Sequence, residues 1–297
     1  MKPPFPEFDP EGEIDKAATP EIAAQEPPEL FSEADDPKDE VAISRLRDVP
    51  FRMLVPNLIT LGAICSGLTA IRFAFEGRFG FAVVAIVFAA LLDALDGRVA
   101  RILKSTTSFG EQMDSLADFV NFGVTPAIVL YLWTLNEAKA LGWSVALVFA
   151  ICGCLRLARF NVMLDNPDRP DWHVDFFTGV PAPAGALLSL LPVYLGLLGL
   201  ESGGWVTVFT ALYILTIGFL MVSNLPTWSA KRAGQRVSRN MVLPVMIGMM
   251  MIVVILFSYP WETLAFFSFV YLATLPLSYF QWQKREAAEA SNKTPQA

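Results

Sequence analysis

A chain of 297 residues, 54% of them hydrophobic and with a mean hydropathy of +0.47, is too apolar for an ordinary soluble domain and points to a polytopic membrane protein. Its formal charge of −7 is uneven: residues 1–50 hold 14 acids against 5 bases, so the remaining 247 residues are slightly basic. Cys65, Cys152 and Cys154 all fall in apolar stretches, which argues against a disulfide framework, and no nucleic-acid partner is expected.

The first fifty residues contain nine prolines, many acids and few large apolar side chains. Such a stretch cannot bury enough surface to offset the entropy of ordering, so a disordered acidic tail is expected. It has no basic start followed by an apolar core and is not expected to be a signal peptide. Arg45, Arg47 and Arg52 gather just before the first apolar run, where anionic headgroups would attract them.

Eight apolar segments follow, at about 54–75, 80–103, 109–132, 143–162, 180–200, 205–225, 241–259 and 261–281. The expected fold is all-α, a polytopic membrane helix bundle of about eight transmembrane helices. Segment one opens with Pro56-Asn57-Leu-Ile-Thr60, where the proline suits a first helical turn and Asn57 and Thr60 are candidate caps. Pro126 is a candidate kink in segment three. Arg156 and Arg159, i, i+3 at the end of segment four, share a face that suits a carboxylate or phosphate, although a stop-transfer cluster needs only their charge. His173, the single histidine, lies in a polar loop and reads as a surface residue. The run Met246 to Met251 is apolar filler, and residues 283–297 are a short polar tail.

Loop charges set an orientation. Arg45, Arg47 and Arg52, then Lys104, Arg169, Lys231, Arg232, Arg236, Arg239, Lys284 and Arg285 fall on one side, against Arg72, Arg78 and Lys139 on the other. The bias places both termini on the cytoplasmic side.

The most informative stretch joins segments two and three. Asp93 and Asp96 are i, i+3 and Asp114 and Asp118 are i, i+4, so each pair shares a helix face. A reversal near Ser105-Thr106 sets Asp93 level with Asp118 and Asp96 level with Asp114, making a four-carboxylate box within apolar sequence. Acids in that setting imply a functional partner, and four together cannot all stay ionised without cations among them. Oxygen ligands suit Mg²⁺ or Mn²⁺, and four carboxylates are enough for two such ions, which commonly clamp a phosphate or pyrophosphate. Gly97, Ala100 and Gly110 let the helices approach and leave room for a substrate.

The run Asp93-x2-Asp96-Gly97-x2-Ala100-Arg101-x8-Gly110-x3-Asp114-x3-Asp118 resembles the signature of the CDP-alcohol phosphotransferases at every fixed position. The resemblance implies an integral membrane enzyme that moves a phosphoalcohol from a CDP-linked donor to an acceptor hydroxyl and releases CMP. It implies that Asp93, Asp96, Asp114 and Asp118 hold two divalent cations, Mg²⁺ or Mn²⁺, with Asp118 also the general base. Arg101 belongs to the signature and is expected at a substrate phosphate, whereas Arg98 does not and stays unassigned. Together with Gly97, Ala100 and Gly110, Asn57 and Thr60 become candidates for binding CDP or phosphate, because the Pro-Asn-x-x-Thr run recurs in this family. The capping account of those two residues stays open beside it.

Within the family, Arg156-Leu-Ala-Arg159-Phe-Asn161, Phe177-Thr-Gly179-Val-Pro181-Ala-Pro183 and Phe122-Gly123-Val-x-Pro126 look like the bacterial membrane-integrated phosphatidylserine synthases. That implies CDP-diacylglycerol as donor, L-serine as acceptor, and Arg156 and Arg159 on the acceptor or phosphate. It also implies a bacterial inner-membrane protein, surrounded by membrane lipid and assembled as a homodimer, and the loop charges set its carboxylate box on the cytoplasmic side. The resulting domains are an acidic tail at 1–50, a six-helix core at 51–230, two added helices at 231–282 with a packing or stabilising role, and a cytoplasmic tail. The alternatives are another acceptor, choline, glycerol phosphate or inositol phosphate, and more remotely a membrane cation transporter.

Overall fold

The computed structural model describes residues 51–164, 176–200, 203–228 and 241–293. The expected acidic tail, Arg45, Arg47, Arg169, His173, Lys231, Arg232, Arg236 and Arg239 lie outside the described residues.

The chain is a bundle of helices: α1 (Phe51–Phe75), α2 (Phe79–Ile102), α3 (Ser108–Asp118), α4 (Thr125–Trp133), α5 (Lys139–Leu164), α6 (Ala182–Ser189), α7 (Leu191–Leu197), α8 (Gly204–Val222), α9 (Val242–Ser258) and α10 (Pro260–Lys293). Among the described residues six helical stretches are long and apolar enough to cross a membrane, the third of them running from Ser108 through α4 to Trp133. Two of the eight expected spans are shorter apolar helices, Ala182–Leu197 and Val242–Ser258. At 1.5 Å per residue, neither reaches a hydrocarbon thickness of about 30 Å unaided. Leu58, Leu68, Phe75 and Phe88 are among many large apolar side chains half or more exposed on the outer surface. In water such a surface would aggregate; against lipid it carries no penalty. This is a multi-pass membrane protein.

The shortfall at Ala182–Leu197 has a local cause. The helix breaks at Leu190, because Pro192 has no N–H to give the Leu188 carbonyl four residues earlier. The Tyr213 hydroxyl donates to that carbonyl instead at 2.9 Å, and the buried Tyr194 donates to the Leu187 carbonyl at 2.9 Å. Two phenols thus repair a broken ladder inside the bundle.

Pro126 does not simply bend the third span. The turn before it, Phe119–Val124, widens into a π-helix between α3 and α4, the adjustment that admits a proline ring inside a continuous helix. Gly123 in this segment and Gly153 of α5 cross closely, since a Cβ on Gly153 would sit 3.2 Å from the Gly123 Cα. The wide turn follows directly after Asp118.

Among the described residues one β ladder interrupts the helices. β1 (Phe176–Thr178) pairs antiparallel with β2 (Pro226–Trp228), Phe177 opposite Thr227. Three-residue strands are too short for an alternating pattern to announce them. The ladder is closed by Gly179, whose N–H donates to the Leu225 carbonyl at 2.8 Å and whose carbonyl accepts from the Thr227 hydroxyl at 2.9 Å. Gly179 has φ +77°, and a Cβ there would strike the Met221 and Ser223 carbonyl oxygens at 2.5 and 2.9 Å. Replacing it with alanine is therefore expected to destabilise the protein by roughly 2 kcal/mol or more, from left-handed backbone cost plus that clash. A thermal melt in detergent should show a clearly lower midpoint for Gly179→Ala.

Candidate active site between α2 and α3

The site grows out of a helix reversal. α2 ends with Lys104 in the left-handed region at φ 49°, Ser105 N–H donating to the Ala100 carbonyl and Lys104 N–H to the Arg101 carbonyl. This paired closure terminates the helix and turns the chain. Thr107 then caps α3, its hydroxyl accepting from the Gly110 N–H at 3.0 Å. The reversal falls at the expected Ser105-Thr106.

The two acid-bearing helices are held apart and both pack on α1. The space between them is a cavity of about 210 Å³ lined by Pro56, Asn57, Thr60, Asp96, Gly97, Ala100, Arg101, Ser105, Thr106, Thr107, Gly110, Glu111 and Asp114. All six residues assigned from sequence to CDP or phosphate line it. At Gly97 a Cβ would meet nothing within 4 Å, so this glycine leaves room and does not serve close helix packing. At Gly110 a Cβ would press on Asn57 Oδ1 at 3.1 Å.

Asn57 and Thr60 do not cap α1. The helix begins at Phe51, which puts both a turn or more inside it. The buried Thr60 hydroxyl donates to Asp96 Oδ2 at 2.7 Å, with the Pro56 carbonyl also 3.1 Å away. Arg101 is exposed at the rim, its Nε donating to the Gly97 carbonyl at 3.0 Å, and Arg98 is exposed.

Below the cavity the carboxylates converge. Asp93, Asp114 and Asp118, all half-buried, each offer an oxygen such that the three lie within 4.8 Å of one another. Asp93 and Asp118 meet side chain to side chain, and Asp96 faces Asp114 across the cavity, the pairing expected from the spacing. Asp96 stands outside the close triad, engaged by Thr60. Among the described residues no lysine or arginine forms an ion pair with any of the four; the two ion pairs present are Arg72–Glu76 and Arg78–Glu76. Asp118 Oδ1 is buried with no hydrogen-bond partner. An orphaned carboxylate oxygen among two further carboxylates is the donor set a hard divalent cation requires, so Asp93, Asp114 and Asp118 could hold a metal ion.

The two arginines of α5 diverge. Arg156 is buried, within electrostatic reach of Asp118, and its guanidinium lies 5.3 Å from the Phe160 ring centre. Arg159 turns to the end of α8, donating to Asn224 Oδ1 at 3.0 Å and to the Ser223 carbonyl at 3.4 Å. Asn161 fastens α5 to α3, its amide donating to the Ser115 hydroxyl at 3.1 Å.

Sequence reasoning missed three features here. Ser105 is buried in the cavity wall with an unpartnered hydroxyl, and the Ser-Thr-Thr run before α3 was a legible capping signal. Asn121, three residues past Asp118, is buried with neither side-chain oxygen nor nitrogen partnered, and Gly67 leaves it room. Tyr271 of α10 approaches Arg156, and no local signal marked it.

The model of the CDP-alcohol phosphatidyltransferase family matches residues 53–222, more than half of the chain. The chain belongs to the CDP-alcohol phosphatidyltransferase family. A second model, CDP-alcohol phosphatidyltransferase 2, matches residues 240–276, over α9 and most of the apolar part of α10. Curated relatives in this family carry the name CDP-diacylglycerol–serine O-phosphatidyltransferase. One from Mycobacterium leprae is 44% identical over 178 residues, covering 58% of this chain and 57% of the relative. One from Helicobacter pylori is 34% identical over 220 residues, covering 74% of this chain and 88% of the relative. A third, from Bacillus subtilis, is 36% identical over 138 residues, covering 46% and 74%. The matched region spans between 57% and 60% of the length of the mycobacterial relatives.

A ligand that binds only the folded protein stabilises it, by about 2.7 kcal/mol at a hundredfold excess over Kd. Mn²⁺ or Mg²⁺ is therefore expected to raise the thermal midpoint of the detergent-solubilised protein. Asp114→Asn should remove most of that rise, read by the same melt with and without EDTA.

Proposed function

We propose that this protein transfers the phosphatidyl group of CDP-diacylglycerol to the hydroxyl of L-serine, giving phosphatidylserine and CMP. The observation that carries this reading is the single cavity that gathers Asn57, Thr60, Gly97, Ala100, Arg101 and Gly110 above the converging carboxylates. The names borne by the relatives support the choice of donor and acceptor.

In this reading the cavity takes the CDP moiety, with Arg101 at the rim facing phosphate and the open wall at Gly97 admitting the nucleotide. Two divalent cations, Mg²⁺ or Mn²⁺, held by Asp93, Asp96, Asp114 and Asp118, would supply the positive charge that neutralises the pyrophosphate. Thr60 fixes the Asp96 carboxylate by its hydrogen bond. Asp118 accepts the proton of the serine hydroxyl as its oxygen attacks the lipid-side phosphorus. The new P–O bond forms to serine, the bond to CMP breaks, and CMP leaves with the electron pair. Arg156 holds the acceptor near Asp118, and Arg159 buttresses that end through Asn224.

Lys104, Arg98 and Arg101 lie at the cavity end, whereas on the opposite side Arg72 and Arg78 are both engaged by Glu76. This charge bias supports a cytoplasmic site at a bacterial inner membrane, where serine and CMP exchange with water. A six-helix core at 51–230 with two added helices, and a homodimeric assembly, belong to the same proposal.

Purified protein given CDP-diacylglycerol, Mn²⁺ or Mg²⁺ and a panel of alcohols is expected to release CMP with L-serine. Release with choline, glycerol phosphate or inositol phosphate in its place would overturn the acceptor. Asp118→Asn is expected to lower turnover at least about 10³-fold while sparing membrane insertion. Retained activity would refute its role as base.

A further inference from the structure

The helix α10, taken from sequence as an addition for packing, reaches the acceptor end of the site through Tyr271. The Tyr271 hydroxyl is buried and makes no hydrogen bond among the described residues. It lies within electrostatic reach of the Arg156 guanidinium and approaches Thr227 of β2, whose own hydroxyl donates to the Gly179 carbonyl. Arg156, 9% exposed, makes no hydrogen bond or ion pair among the described residues, and Asp118 also lies within its electrostatic reach. The phenol hydroxyl, with Thr227 as its neighbour, and the Arg156 guanidinium, which no carboxylate or carbonyl engages among the described residues, lie within reach of each other, and Arg156 lies within reach of the carboxylate assigned as base. Donors left without acceptors cost free energy, which a ligand offering an anionic oxygen pair would recover. A carboxylate is that ligand, since it accepts from the guanidinium fork in a planar, paired geometry and has a lone pair left for a third donor.

We infer that Tyr271 is an acceptor-selecting residue, its hydroxyl donating together with Arg156 to the carboxylate of an amino-acid acceptor. In serine the carboxylate and the hydroxymethyl group hang from the same carbon, so gripping the first between Arg156 and Tyr271 turns the hydroxyl toward Asp118. The inference rests on the serine reading above and adds to it that α10 supplies part of the binding site.

The test uses the full chain in detergent or nanodiscs and follows CMP release. Tyr271→Phe removes one oxygen and keeps the ring. The variant is expected to raise KM for L-serine about tenfold, the factor for losing about 1.4 kcal/mol from one charge-assisted hydrogen bond. KM for CDP-diacylglycerol and the thermal midpoint should stay as in the unaltered protein. Serinol, in which a second hydroxymethyl group replaces the carboxylate, should be used equally by both proteins, and Tyr271→His, which keeps a donor, should recover part of the serine KM. An unchanged serine KM, or an equal rise in KM for both substrates with a lower midpoint, would overturn the inference. Failure of the serine reading is distinguishable, because the unaltered protein would then release CMP with another alcohol and not with serine.

Discussion

The arrangement depends on the cost of gathering carboxylates within apolar helices. Taking an ion from water into a low-dielectric interior costs several kcal/mol, and neighbouring like charges add to it. The fold meets this constraint by geometry: two acids on one face of α2, two on one face of α3, and a reversal that brings the faces together without packing the helices against each other. The gap that relieves the crowding is also the space a substrate needs. Among the described residues Thr60 from α1 contributes a hydroxyl donor to the group, on Asp96, and Asp118 Oδ1 within the triad is left without a hydrogen-bond partner.

Much of this was legible from spacing alone. Charged residues are rare in membrane spans, so four acids at i, i+3 and i, i+4 with symmetric distances to a Ser-Thr turn determine a face, a level and a partner. The same reasoning placed Gly97, Ala100 and Gly110 around one space because small residues at helical spacing expose backbone on one side. Of the two reasons for a small residue at Gly97, helix approach and room for a substrate, the second holds, since the residue borders open space. Spacing also left Asn57 and Thr60 as candidate caps, because a helix start at Phe51 is invisible where apolar sequence runs on without a break.

What remained hidden depends on contacts distant along the chain. Arg156 and Arg159 share a face by spacing, yet one turns to Asp118 and the other to Asn224, a division set by the end of α8 more than sixty residues later. The β1–β2 ladder joins segments fifty residues apart, too short to leave a periodic trace. Tyr271 reads as one more aromatic among many in α10. The apolar stretch at Ala182–Leu197 was taken as a full span because hydropathy records composition and not the carbonyl orphaned by Pro192.

That orphaned carbonyl has a mechanical consequence. With Leu188 satisfied by Tyr213 of α8, and Leu187 by Tyr194 across the break, the interrupted segment is no free joint. Bending it would strip a phenol from a carbonyl where no water waits to take its place. The break is thereby tied to α8, whose C-terminal end leads into the Asn224 that Arg159 grips, so a displacement of either is passed to the other.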